Sequence, residues 1–379
     1  DIGMVTSAIF TDVDDDGWSD LMVTLEWGAV RYFHNTQGRF IDRSKESGLS
    51  ERTGWWNSIT SADFDRDGDL DYIVGNYGLN TKYHANVKKP ALIYYGDFDN
   101  TGVNRIIEAE FEDETLFPIR GRSCSTHAIP DLGKRFNSYH DFALAPLEKI
   151  YTPECLDDSQ RFAATELESG ILLNDQGRFT FKPLPRLVQT APVFGICAQE
   201  IDGDGIPDLY LVQNSHAPQV ETGHMAGGVS LLLQGNGDGT FEPVWPAESG
   251  LLVPHDAKGV AVTDWNGDAK PDFLVTRNND TMLAFENRSS TGQFVKVRLK
   301  GNSKNPQSIG ARVTLHTADG KQQTAEVLAG SGYLSQSTSA LTFGKPAGAK
   351  VTAVTVRWPN GTSRAYTKDL GGSTITLKW

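Results

Sequence analysis

Four carboxylates stand at alternating positions of the stretch Asp63-Phe-Asp65-Arg-Asp67-Gly68-Asp-Leu-Asp71, and the apolar run Tyr72-Ile73-Val74 follows at once. Hard oxygen ligands on one short turn suit Ca²⁺, which accepts about six to eight oxygens in flexible geometry, and the glycine lets the loop turn sharply. Three further stretches repeat the pattern: Asp12, Asp14, Asp16 and Asp20; Glu200, Asp202, Asp204 and Asp208; and Asp264, Asn266, Asp268 and Asp272. Positions one, three and five are expected to give side-chain ligands, position seven a backbone carbonyl and position nine the closing carboxylate. An EF-hand would need a glutamate at position twelve, where these loops carry Val23, Val74, Leu211 and Val275. Asp and Gly favour turns without any ion, but turn chemistry alone does not require the acids to recur at the same places in four loops. Two loops depart from the pattern: Glu200 opens one, and Ala269 replaces the glycine in another. A fifth, Asp97 to Arg105, has threonine in fifth place and arginine in ninth, and is expected to bind no ion.

Other chemistry finds less support. Catalytic zinc wants a His-Glu-x-x-His spacing, which does not occur, and neither a phosphate-binding P-loop nor a Gly-x-Ser-x-Gly elbow is present. Calcium is therefore expected as a structural ion in a protein that is not an enzyme. The alternative is a polysaccharide-active enzyme in which His127, His140, Arg122 or Tyr139 converge for elimination or hydrolysis, which requires them within hydrogen-bond reach of one another. Trp55, Trp56, Trp265 and Tyr77 sit beside the motifs and could line a sugar-binding face, although burial is the commoner fate of such rings.

The elements that must position these loops are strands. Each acidic loop runs into an aliphatic strand, and hairpins such as Asn35 to Phe40, Asn174 to Phe179 and Gly235 to Phe241 close the units. Many short Val/Ile/Leu/Phe runs between Asn/Asp/Gly clusters indicate an all-β chain, and a unit repeating at tens of residues implies a solenoid, propeller or array. The rhythm breaks from about residue 108 to 165, an insertion with a predicted helix over 139–150 that presents Phe142, Ala143, Leu147 and Ile150 on one face. After Gly292 the acidic loops cease and alternating strands continue to the end. The expected domains are 1–290, carrying the repeats, and 291–379, a small β-sandwich.

A formal charge of −13 argues against nucleic acid or an anionic membrane surface as partner. Four bound calcium ions would bring it to about −5. Cys124 and Cys155 could pair, leaving Cys197 as a buried thiol in an apolar strand; whether the pair is bonded stays open. No apolar run reaches the length of a membrane span, and a start at Asp1 fits a processed or truncated product. Sequons at Asn279, Asn287 and Asn360 would matter only on a eukaryotic secretory route.

The repeated Asp-x-Asp-x-Asp-Gly-x-x-Asp loop, with its strand and its Asn-x-x-Gly-x-Phe hairpin, resembles the FG-GAP or VCBS repeats of integrin-α-type β-propellers. The stretches Asn305 to Val313, Gly330 to Gln336 and Val356 to Gly361 are similar to the ASPIC/UnbV domain. This resemblance implies a calcium-stabilised propeller, with seven blades as the expected number and five or six as alternatives, followed by a sandwich. It also implies a secreted or cell-envelope setting and a role in adhesion or in binding a carbohydrate or protein ligand, with a structural subunit of an extracellular assembly or homo-oligomer as the alternative.

Overall fold

The computed structural model describes residues 2–219 and 222–379, so the starting Asp1 lies outside the described residues. Four antiparallel sheets repeat one plan. Blade 1 holds Met4–Thr11, Asp20–Ala29, Arg31–Thr36 and Arg39–Asp42 in that order; blade 3 holds Val193–Gln199, Asp208–Gln213, Leu231–Gly235 and Phe241–Val244. Blade 2 has the same order from Ser58–Ala62 through Asp71–Gly75 and Gly170–Asp175 to Arg178–Pro183, and blade 4 has three strands, Ala257–Thr263, Asp272–Arg277 and Leu283–Phe285. In every blade the acidic loop joins the first strand to the second. The first strands pack side by side in blade order, as the inner strands of a propeller.

Period-two alternation explains the stacking, because successive side chains of a strand face opposite sides. In blade 2, Tyr72 and Val74 enter a core with Ile9, Met22 and Tyr32 of blade 1, whereas Ile73 enters a core with Ile196, Leu209 and Leu211 of blade 3. Blades 3 and 4 share a third core, which joins Tyr210 and Val212 to Val260, Phe273 and Val275. Both faces of the middle blades are thus covered, and strands 58–62 and 71–75 are buried throughout.

Four blade sheets are present among the described residues, against the seven expected. An excursion and the C-terminal domain take up the length that further blades would need. The excursion is also wider than 108–165. Strand Asp71–Gly75 pairs directly with Gly170–Asp175, so everything between them leaves blade 2 and returns. It builds its own sheet from Thr115–Pro118, Arg105–Glu112, Ala91–Gly96 and Gln160–Ala164, and the Asp97 loop belongs to that sheet. The predicted helix over 139–150 is split into Tyr139–Ala143 and Leu147–Tyr151, because Pro146 interrupts it. Phe142, Leu147 and Ile150 are buried, but Ala143 is exposed and Ala145 takes its place in the core. No disulfide joins Cys124 to Cys155. Cys197 is buried, which pushes its thiol up to about 12.

In the C-terminal part, Leu341–Lys345, Gln293–Lys300 and Thr374–Lys378 form one sheet, and Gln322–Glu326, Arg312–Thr317, Val351–Arg357 and Ser363–Tyr366 form another. They share a core that includes Val297, Phe343 and Ile375 from the first and Val313, Val354 and Val356 from the second. From this sandwich, residues 331–338 reach the inner strands of all four blades. Ser7 Oγ donates to Gly332 O at 3.0 Å and Gly332 N donates to Ile59 O at 3.0 Å. The Tyr333 ring lies 5.1 Å from Phe194, and Thr338 N donates to Val262 O at 3.0 Å.

Candidate metal centres

The five acidic loops share one backbone conformation. Positions four and six take positive φ in each: Asp15 and Gly17, Arg66 and Gly68, Asn100 and Gly102, Gly203 and Gly205, Gly267 and Ala269. That folds the chain back so that backbone N–H groups point at the first carboxylate. Gly17 N donates to Asp12 Oδ2 at 2.9 Å, Gly205 N to Glu200 Oε2 at 2.6 Å and Ala269 N to Asp264 Oδ2 at 3.1 Å. The ninth-position aspartates are clamped alike. One oxygen of each accepts from the N–H of loop position two: Val13 to Asp20, Phe64 to Asp71, Ile201 to Asp208 and Trp265 to Asp272. The other accepts from a hairpin residue, namely Asn35, Asn174, Gly235 or Asn287. A carboxylate oxygen keeps a second lone pair after one such bond, so these aspartates tie loop to sheet and stay able to bind a cation. The hairpin asparagines also connect neighbouring blades: Asn174 Nδ2 donates to Val13 O at 2.8 Å and Asn287 Nδ2 to Ile201 O at 2.8 Å.

Three loops bring their acids together. One oxygen each from Asp12, Asp14 and Asp16, from Asp63, Asp65 and Asp67, and from Glu200, Asp202 and Asp208 lie within 4.8 Å of one another. Asp204 stands outside the third trio; its Oδ1 accepts from Ile206 N at 2.7 Å. Among the described residues, Asp12 Oδ1, Asp14 Oδ1 and Asp63 Oδ1 are buried without a hydrogen-bond partner. A buried, unpartnered carboxylate oxygen is costly unless a cation meets it, and an all-oxygen donor set suits a hard cation. The same crowding shows in proton affinity. Burial, with the neighbouring carboxylates adding, pushes Asp63 up to about 7, Asp71 to about 7, Asp208 to about 7 and Glu200 to about 9. These acids therefore fit the calcium expected for them.

The first and fourth loops differ, because cations of the C-terminal domain approach them. Arg357 Nη2 lies 2.5 Å from Asp12 Oδ2, and Arg312 Nη1 lies 2.8 Å from Asp15 Oδ1. Lys296 pairs with Asp264, and both side chains are buried. Asn266 replaces the third-position acid, and Asp264, Asp268 and Asp272 do not bring one oxygen each within 4.8 Å of one another. In the Asp97 loop, Arg105 at position nine pairs with Asp99 at 3.0 Å, placing a side-chain cation on the ligand set.

Sequence reasoning missed His34. It lies in strand Arg31–Thr36, just before the loop-one hairpin, and its Nδ1 lies 3.2 Å from Asp14 Oδ2 and 3.3 Å from Asp20 Oδ1. Its place one residue before Asn35 was the only available signal. The aromatic candidates separate. Trp55 and Trp56 are 5% and 1% exposed, and Tyr77 packs half-buried at 4.2 Å from Trp55. Trp265 is 44% exposed. It lines an open groove between blades 3 and 4 with Asp202, Gln234, Glu248, Phe285 and Arg288.

Stacked antiparallel sheets, each bearing the same acidic loop and packed along their inner strands, define a propeller-type repeat protein with a β domain appended. Residues 12–74 and 201–275 match the family model for the FG-GAP-like repeat, and residues 301–379 match that for ASPIC and UnbV. The chain thus carries FG-GAP-like repeats followed by a C-terminal ASPIC and UnbV domain. It is similar to a chain in the crystal structure of BBS1N in complex with ARL6DN, soaked with lead, at 13% identity and a TM-score of 0.32, over 97% of this chain and 81% of that one. It is also similar to the V. cholerae biofilm matrix protein Bap1, at 11% identity and a TM-score of 0.18, over 97% of this chain and 60% of that one. No curated protein matches the chain.

Proposed function

We propose that this is a calcium-stabilised, non-catalytic binding protein of the cell exterior or envelope, whose ligand is a carbohydrate or a protein. The observation that carries the calcium reading is the Asp63, Asp65 and Asp67 cluster, where the unpartnered Asp63 Oδ1 is buried and no lysine or arginine among the described residues forms an ion pair with the three acids. Ca²⁺ there would be a structural ion. The family's usual extracellular or envelope setting supports the location, and no helix of the described residues is long and apolar enough to cross a membrane. The ligand is expected at the groove holding Trp265, because an exposed indole beside Gln234, Glu248 and Arg288 combines an apolar platform with hydrogen-bonding groups.

The polysaccharide-active alternative gains no support from the excursion. Arg122 stacks over Tyr139 at 5.3 Å and donates to Phe136 O at 2.8 Å. Among the described residues no hydrogen bond joins His127 or His140 to either of them. A glycan array run with and without EDTA tests the reading. Calcium-dependent binding without turnover, lost in Trp265→Ala, is the expected result. Released product would favour the enzyme. Absence of binding together with filaments under the microscope would favour a structural subunit, and either outcome overturns the reading.

A further inference from the structure

A second group of metal-ligating side chains lies away from the acidic loops. Strand Asp208–Gln213 begins at the third loop, so the chain that follows it emerges at the opposite end of blade 3. There Ser215 and Met225 exchange two backbone hydrogen bonds, each 2.9 Å, which sets His216 and His224 facing each other across the closed loop. Their rings are 4.1 Å apart between centroids. His255 approaches from the connection into blade 4, and its ring stands 6.3 Å from that of His216.

The surroundings hold this group in a backbone that costs free energy. Asn214 and His255 both adopt positive φ, at 93° and 73°. Non-glycine residues persist there only where neighbours enforce the conformation, and such places concentrate at functional sites. Here Asn214 does the enforcing. Its Nδ2 donates to His255 O at 2.7 Å and to Gly228 O at 2.8 Å, while its Oδ1 accepts from Gly228 N at 2.8 Å. Lys258 bridges Asn214 O and Asp256 Oδ1, so the flanking cation is already paired. His216 Nε2 is buried and has no hydrogen-bond partner among the described residues.

We propose that His216, His224 and His255 bind a divalent transition cation of the zinc type. Imidazole is a donor for Zn²⁺, Cu²⁺ or Ni²⁺ and not for Ca²⁺, so this site would be chemically separate from the acidic loops. With metal–nitrogen bonds of about 2.0–2.1 Å, three imidazoles around a tetrahedral ion hold their ring centroids about 5 Å apart. The His216–His224 and His216–His255 separations, 4.1 and 6.3 Å, fall on either side of that spacing, and the three rings do not yet present one nitrogen each within 4.8 Å of one another, so binding requires side-chain rotation. His224 and His255 are exposed and can turn to close it, while the less exposed His216 offers its orphaned Nε2. Three ligands leave a fourth position for water or a ligand.

The test uses the full chain with the acidic loops saturated by Ca²⁺. Zn²⁺ is titrated by calorimetry, and Co²⁺ serves as an absorbing probe. Binding of one Zn²⁺ per chain, with visible Co²⁺ bands of nitrogen ligation, is expected. His224→Ala and His255→Asn should each weaken binding by roughly tenfold or more. Asn tolerates positive φ, so the second change spares the backbone. His84→Ala, at an exposed histidine outside every candidate site, should leave the affinity unchanged. Equal Zn²⁺ binding by wild type and the doubly substituted chain, or its loss in His84→Ala alone, overturns the proposal. Independently of any variant, Zn²⁺ should protect His224 and His255 of the wild-type chain from diethyl pyrocarbonate. Unchanged labelling of both histidines under saturating Zn²⁺ would sink the assignment.

Discussion

Arg357 of the C-terminal sandwich stands 2.5 Å from Asp12, the first carboxylate of the first acidic loop, across 345 residues of sequence. A guanidinium and a metal ion compete for the same oxygen. Replacing Arg357 by Gln should therefore tighten cation binding at loop one several-fold. Terbium luminescence sensitised by Trp18, which lies within that loop, reads the effect. Unchanged or weaker binding in the variant would show that the arginine does not oppose the ion.

Arg312 occupies a deeper position. Its side chain is 7% exposed and its partners are Asp15, at 2.8 Å, and the buried Glu326, at 3.4 Å. Glu326 Oε2 also accepts from Thr11, so the pair links the sandwich to blade 1. Removing one member of a buried ion pair leaves the other uncompensated, at a cost of about 3–5 kcal/mol. Arg312→Met should lower stability by that order in urea unfolding, and the paired change with Glu326→Leu should recover most of it. A loss below about 1 kcal/mol in the single variant would class the contact as a surface pair.

Stability without calcium should depend on pH with a definite sign. Asp63, Asp71 and Asp208 have folded-state values of about 7 and Glu200 about 9. Unfolded carboxylates titrate near about 4. Raised values mean that these groups contribute their stability fully below the unfolded value and lose it as pH rises through about 7, or through about 9 for Glu200. In EDTA the melting temperature should fall between pH 5.5 and pH 8, and saturating Ca²⁺ should restore it by mass action, by more at pH 8 than at pH 5.5. A calcium-induced shift of equal size at both pH values would contradict ligation by these acids.

Ala269 occupies the position that glycine holds in the other loops, and its φ is 73°. A left-handed alanine costs about 1–2 kcal/mol, whereas deleting a buried methyl gives up about 0.8 kcal/mol. Relief of the backbone strain exceeds the lost burial, so Ala269→Gly should stabilise the protein by about 0.5 kcal/mol, seen as a higher urea midpoint at unchanged slope. A lower midpoint would mean that packing of the methyl outweighs the backbone.

What the sequence made legible is local. The acidic loops, the strands behind them and the hairpin asparagines lie within about a dozen residues of each other, where turn chemistry and alternation act directly. The pairing of strand 71–75 with 170–175 is long-range, and no residue in either strand announces that the chain departs and returns. Hence the break in rhythm at 108 lies well after the point, at residue 75, where the chain leaves blade 2. Nor could spacing reveal that Lys296, Arg312 and Arg357 would meet the first and fourth loops, since in sequence they read as ordinary cations on strands. His34 and the group around His216 were passed over for a like reason. Their ligand geometry depends on a hairpin register and on a connection between blades.

Residues 331–338, which touch the inner strands of all four blades, also set an order of events in biogenesis. On the ribosome every blade emerges before the segment that spans their centre. Until Gly332 and Thr338 arrive, Ile59 O and Val262 O lack the donors that meet them in the finished molecule. Closure of the hub therefore waits for residues 331–338, and a chain stalled short of them presents an open hub to chaperones, proteases and the tails of neighbouring chains.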